Sequence, residues 1–181
     1  IPLEEYLAHS YEPDCEYVDG QIVERNVGEF FHSLLQGALV THLNLLQYRA
    51  GKQSYYVLPE CRAKVRGGDD SRRRYRIPDI SVMPIRSAPA SIILEPPLVV
   101  IEILSPEDRF HAVVQKCADY EAFGIPEIWI VNPHSQEVWT VRDGQAHAAA
   151  DRRASFRCEG GEVLVDFNEV FAASRLNERR V

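Results

Sequence analysis

From Pro96 to Pro106 the chain reads PPLVVIEILSP. Leu98 to Leu104 is aliphatic, rich in β-branched residues and bounded by proline, which is the composition of a strand covered on both faces. Glu102 does not fit that composition. An unpaired buried charge costs several kcal/mol even after relaxation, whereas burying one aliphatic side chain returns only about 1.5–3 kcal/mol. The strand therefore requires a partner for Glu102: a basic side chain, a shifted pKa or a metal ion.

The rest of the chain gives that strand a context. PLEEYLAHS predicts a short helix, and CEYVDGQIVE a hairpin turning on Asp19-Gly20. Phe30, Leu34, Leu35, Ala38, Leu39, Leu43 and Leu46 recur at helical spacing from Glu29 to Tyr48, with Gly51 as the stop. SYYVLPECRAKV and RYRIPDISVMP read as strand-like runs around the charged loop RGGDDSRRR, and a Pro/Ala-rich connection, Ser87 to Pro97, follows. Ser105-Pro106-Glu107-Asp108 has the residues of a helix start, and that helix runs to about Phe123 before Gly124. EIWIVNP is a further apolar strand, EVWTVRDGQAHAA a hairpin on Asp143-Gly144, and a short strand, a helix and a charged tail ending ERRV close the chain. The expected fold is α/β (α+β), a central mixed sheet flanked by helices, in one domain spanning residues 1–181.

Composition removes several functions. No apolar run approaches the ~20 residues that cross a bilayer, and no secretory signal is visible. The 4 cysteines are scattered with no CxxC pair, which argues against a zinc cage and a disulfide framework and fits a reduced, cytoplasmic setting. A net charge of -7 gives no general attraction to nucleic acid, so any phosphate contact needs a local basic patch. Arg62, Lys64, Arg66, Arg72, Arg73, Arg74 and Arg76 form that patch. It reads equally as a DNA-contacting loop and as a solvated hairpin.

Three residues converge on one chemistry. Asp79 follows Pro78 at the end of a strand, Glu102 lies on the central strand, and Lys116 sits on the helix after it. Phe110, Val113, Cys117 and Tyr120 form that helix's apolar stripe; Lys116 falls at its edge, placed to snorkel toward the sheet. Two carboxylates suit Mg²⁺ (or Mn²⁺), which binds through one or two carboxylates, waters and substrate phosphates, and a nearby ammonium suits the charge that develops in phosphoryl chemistry.

RIPDISV, VVIEILSP and K-x3-Y-x3-G-x2-E-x-W-I-V-N-P from Lys116 to Pro133, with EYVDGQIVE and His32 before them, resemble a bacterial restriction-endonuclease-like family. It belongs to the PD-(D/E)XK nuclease superfamily and is a variant whose motif lysine has migrated from the strand to the helix. The resemblance implies that Asp79 and Glu102 bind the metal, helped by the backbone carbonyl of Ile103. Leu104 stands at the usual strand-lysine position, so Lys116 takes that role. Ala112 departs from an acid usual four residues before the lysine, and Asn132 from a common aspartate. The implied function is a Mg-dependent endodeoxyribonuclease acting on DNA, by analogy a homodimer. The alternatives are a nuclease scaffold kept as a DNA-binding or protein-interaction module, and a structural protein in which Glu102 and Lys116 merely pair. His32 reads as a core or helix-surface histidine, Glu60 as the residue that follows Pro59 and begins a strand, with joining the metal site from there as the alternative, and Trp129 and Trp139 as core or dimer-contact residues.

Overall fold

The structure, a computed structural model, describes residues 1–26, 28–66 and 74–174. The first half contains α1 (Leu3–Ala8), β1 (Cys15–Val18), β2 (Gln21–Glu24), α2 (Phe30–Ala50), β3 (Tyr55–Pro59), β4 (Ala63–Arg66) and β5 (Arg74–Arg76). Then come β6 (Ile80–Pro84), β7 (Val99–Ile103), α3 (Phe110–Phe123), β8 (Glu127–Asn132), β9 (Glu137–Arg142) and β10 (Gln145–Ala148). A 3₁₀ turn (Ala150–Arg152), β11 (Arg153–Cys158), β12 (Gly161–Asp166) and α4 (Phe167–Ala173) complete it.

Six strands form a mixed sheet in the order β10-β9-β8-β7-β6-β3, and four form a smaller antiparallel sheet, β2-β1-β5-β4. Only β7 and β8 of the large sheet run parallel, and α3 supplies the crossover such a pair needs. Along β7, Val99, Ile101 and Ile103 face the core shared with Leu35, Leu39 and Leu43 of α2. Val100 and Leu104 face the other core, with Cys117 and Tyr120 of α3. The period of two therefore puts Glu102 on the α3 side. Ile80 pairs with Ile101 across the antiparallel ladder, so continuing the register sets Asp79 opposite Glu102. The mixed sheet with helices on its faces is the expected architecture.

Three local expectations need correction. SYYVLPECRAKV and RYRIPDISVMP are not two continuous strands. Each is divided between the two sheets, at Glu60, which adopts φ 50, and at Ile77-Pro78-Asp79. The helix after β7 does not start at Ser105: the Ser105 N–H donates to Asp108 Oδ2 at 2.7 Å, closing a turn, and α3 begins only at Phe110. The single short strand expected near the end is a hairpin, β11–β12. Phe30, counted in the apolar stripe of α2, is 62% exposed, whereas His32 and Gln47 of that helix are buried. Gln47 Oε1 accepts the N–H groups of Ser54 and Tyr55 at 2.8 and 3.0 Å and so fixes the turn into β3. Trp129 is buried in the core, and Trp139 packs on Phe110.

Both hairpin turns form at the expected dipeptides, with positive φ at Asp19-Gly20 and Asp143-Gly144. Gly124 ends α3 at φ 91, its N–H bonded to the Glu121 carbonyl at 3.0 Å. A Cβ there would meet only Pro96 Cγ at an ordinary 3.8 Å, so the penalty of Gly124→Ala is conformational. We expect it to lower stability by about 1–2 kcal/mol in urea denaturation. An unchanged midpoint would contradict the left-handed cap.

Candidate active site

Asp79 is held by its backbone carbonyl and by its side chain. Its carbonyl accepts Gln36 Nε2 at 2.9 Å and the Glu60 N–H at 3.1 Å. Its Oδ2 accepts the Ile103 N–H at 2.7 Å, which ties the PD turn to β7. Oδ1 meets Arg25 at 2.7 Å and His32 Nε2 at 3.3 Å. Burial opposes the charge on Asp79, but the His32 hydrogen bond and charge, then Arg25 and Lys116, outweigh it and hold its carboxyl below the ordinary value.

The partner that Glu102 requires is Lys116, whose Nζ lies 3.0 Å from Oε1 and 3.1 Å from Oε2. The Tyr120 hydroxyl, one helical turn further on, also donates to Oε1. Burial pushes Glu102 upward, Lys116 pulls it down, and the neighbouring Asp79 and Glu16 push again; its carboxyl ends at about 6. Burial likewise opposes the Lys116 ammonium, yet Glu102, Glu16 and Asp79 carry its pKa well above the ordinary lysine value. Lys116 is thus a cation and hydrogen-bond donor at neutral pH, not a base.

Glu16 completes the group. It comes from β1 of the smaller sheet, is buried, and its Oε1 lies 2.8 Å from Lys116 Nζ. Oε1 also accepts the Ile77 N–H at 3.0 Å, and Oε2 meets Arg76 at 2.8 Å. Burial works against its charge, but Lys116, Arg76 and the Ile77 N–H bring its carboxyl down to about 2. The pH consequence follows from the sign. A depressed carboxyl binds fewer protons folded than unfolded, so its stabilisation is present above about pH 4.5 and is lost as pH falls toward 2. In urea melts across that window, Glu16→Gln should be less stable than wild type at neutral pH and converge with it in acid. A gap that stays constant with pH would refute this.

Asp79, Glu102 and Lys116 therefore meet in one solvent-open cavity of about 440 Å³, together with Glu16, Arg25 and His32. His32, read from sequence as a core or surface histidine, is buried and faces Asp79; burial lowers its pKa, but Asp79 outweighs that and raises it. Glu60 stays at the margin, 3.6 Å from Arg25 and half-exposed. Sequence reasoning missed Glu16, Arg25 and Tyr120. Of these, Tyr120 was within reach, four residues beyond Lys116 on the same helix face. Three residues of the basic patch turn inward: Arg74 and Arg76 bind Asp119 of α3, and Arg62 lies over the Tyr6 ring at 4.4 Å. Arg72 and Arg73 lie outside the described residues.

The donor chemistry fits a hard divalent cation. Asp79, just before β6, and Glu102 on β7 share an open cavity; burial first, then crowding with Asp79 and Glu16, raises Glu102, and a cation would relieve that crowding. Among the described residues no three His, Cys, Asp or Glu side chains form a ready ligand cage. Mg²⁺ is commonly held by only one or two carboxylates, with waters and substrate oxygens completing its shell.

An α/β sheet that presents an acid just before one strand and an acid on its neighbour to a lysine on the following helix has the architecture of a restriction-endonuclease-like protein. The chain belongs to the family Uma2, described as "Putative restriction endonuclease", whose model matches residues 3–166. In fold it is similar to a crystal structure described as "a putative nuclease belonging to DUF820" from Anabaena variabilis. The TM-score is 0.75 at 22% identity, covering 96% of this chain and 99% of that one. No curated protein matches the chain at a significant level. No helix among the described residues is long and apolar enough to cross a membrane.

Proposed function

We propose that the chain is a divalent-metal-dependent nuclease that hydrolyses phosphodiester bonds in DNA. The observation that carries this reading is the meeting of Asp79, Glu102 and Lys116 in one open cavity, in a chain of this family. Asp79 and Glu102, with the Ile103 carbonyl, are the residues that would hold Mg²⁺ or Mn²⁺. The ion would supply Lewis-acid polarisation of the phosphate and a lowered pKa for bound water. An ammonium has three donors; Glu16 and Glu102 engage those of Lys116 in part, leaving one for a water or a phosphate oxygen. Lys116 then orients the nucleophile and stabilises charge on the phosphoryl oxygens. Tyr120 holds Glu102 from behind, and Arg25 is the nearest further cation to Asp79. Cutting both strands of a duplex calls for two sites, and a symmetric dimer is part of this reading.

The opposing reading, a binding module without turnover, draws on one observation: each oxygen of Asp79 and Glu102 already has a protein donor. Plasmid cleavage separates the two. The nuclease reading expects nicking or linearisation with Mg²⁺ or Mn²⁺, abolished by EDTA and absent from Asp79→Ala and Glu102→Ala. Cleavage that persists in both variants, or no cleavage with either ion, rejects it.

A further inference from the structure

We propose, resting on the nuclease reading of the Asp79 cavity, that the adjoining cavity binds one unstacked nucleobase of the substrate and so favours single-stranded or frayed DNA. The second cavity has a volume of about 540 Å³, within the range of small-molecule sites. It shares Ser105 and Asp108 with the Asp79 cavity, so the two open beside each other on the segment that leads from β7 into α3.

Their linings differ as the two halves of a nucleotide differ. The Asp79 cavity sets Arg25 and Lys116 among carboxylates that, on the nuclease reading, hold a divalent cation, a combination that suits a phosphate. Among the described residues, the lining of the second cavity includes no lysine or arginine; it is walled by Phe110 and Trp139, with His134 and Glu137 beside them. Phe110 is 38% exposed and its ring lies 4.7 Å from that of Trp139, centroid to centroid. This leaves a supported aromatic face open to solvent, the surface on which single-stranded bases stack. Glu137 is exposed and its carboxylate has no hydrogen-bond or ion-pair partner among the described residues, so it is free to accept from an exocyclic amine. A phosphate would be repelled there; a neutral heterocycle would not. A base still paired within a duplex cannot enter such a pocket without leaving its stack.

Calorimetric titration of the full chain in Mg²⁺ with dCMP and with deoxyribose 5-phosphate tests the pocket. The two probes share the sugar and phosphate and differ in the base. The wild-type chain should bind dCMP about tenfold more tightly. Phe110→Leu, which keeps apolar packing on Trp139 at a half-exposed position, should erase most of that gain while leaving deoxyribose 5-phosphate unchanged. Equal affinities for the two probes in wild type, or an undiminished gain in Phe110→Leu, overturns the proposal. Neither probe contains a phosphodiester bond, so the result is independent of turnover. A chain that cuts plasmid but treats the probes alike refutes the pocket alone, and one that cuts nothing yet prefers dCMP refutes the nuclease reading alone.

Discussion

Lys116→Met should leave a folded but inactive protein at mildly acid pH and a strongly destabilised one at pH 8. Methionine keeps an unbranched side chain one atom shorter than lysine and removes its charge. Lys116 is the cation between Glu16 and Glu102, at 2.8 and 3.0 Å. Without it two buried carboxylates face one another, and breaking a buried ion pair by removing one partner costs about 3–5 kcal/mol. The pH dependence has a definite sign. Glu102 already titrates at about 6, above the usual carboxylate range, and losing its ammonium moves it higher. A raised carboxyl binds more protons folded than unfolded, so stability falls as pH rises through that interval. The deficit relative to wild type should therefore be largest at pH 8 and shrink toward pH 5, where Glu102 is protonated. Urea denaturation at the two pH values reads this directly, and an equal deficit at both would contradict it. On the proposed nuclease reading, cleavage should fall about a hundredfold or more at every pH, since the missing donor would act on developing charge. The double variant Glu102→Leu/Lys116→Met isolates the structural contribution. Full recovery of stability without recovery of cleavage would show that the pair is kept for chemistry, not for the core.

Why the sequence revealed part of this site and not the rest can be traced to particular residues. Asp79 and Glu102 were legible because each breaks a local rule: an acid beside a proline at a strand end, and an acid in an aliphatic strand. Lys116 was legible through helical spacing. Glu16 breaks no such rule. In CEYVDG it alternates with Cys15 and Tyr17 as any hairpin acid would, and only the docking of the smaller sheet against α3 buries it. Arg25 follows β2 with nothing local to mark it, and its bond to Asp79 spans 54 positions. Arg74 and Arg76 misled for the same reason. A run of arginines beside a loop looks solvated until the acid that receives it, Asp119, is brought from another element. Local violations of pattern are visible in one dimension, whereas pairings between sheets are not.

Asp119 is the residue on which that docking depends, and Asp119→Ala is expected to be among the most damaging substitutions outside the cavity. Its side chain is only 2% exposed. Oδ1 accepts Arg74 at 2.7 Å, and Oδ2 accepts Nε and a terminal nitrogen of Arg76 at 2.8 and 2.7 Å. Arg76 in turn holds Glu16, so a chain of ion pairs runs from α3 through β5 to β1 and back to Lys116 on α3. Alanine would leave the mostly buried Arg76 with one acid instead of two, at a cost of about 3–5 kcal/mol. The substitution Asp119→Asn would retain one acceptor and lose less. The damage should also reach the cavity, because Glu16 loses the fixed orientation of its second oxygen and Lys116 a fixed partner. A double-mutant cycle with Arg76→Met measures the coupling, expected at about 1–3 kcal/mol for groups in direct contact. Strict additivity of the two substitutions would mean that the guanidinium and the carboxylate contribute independently, leaving the Arg74–Asp119 and Lys116–Glu16 pairs and the apolar packing of Ala63 and Val65 against Cys117 and Tyr120 to anchor the smaller sheet to α3.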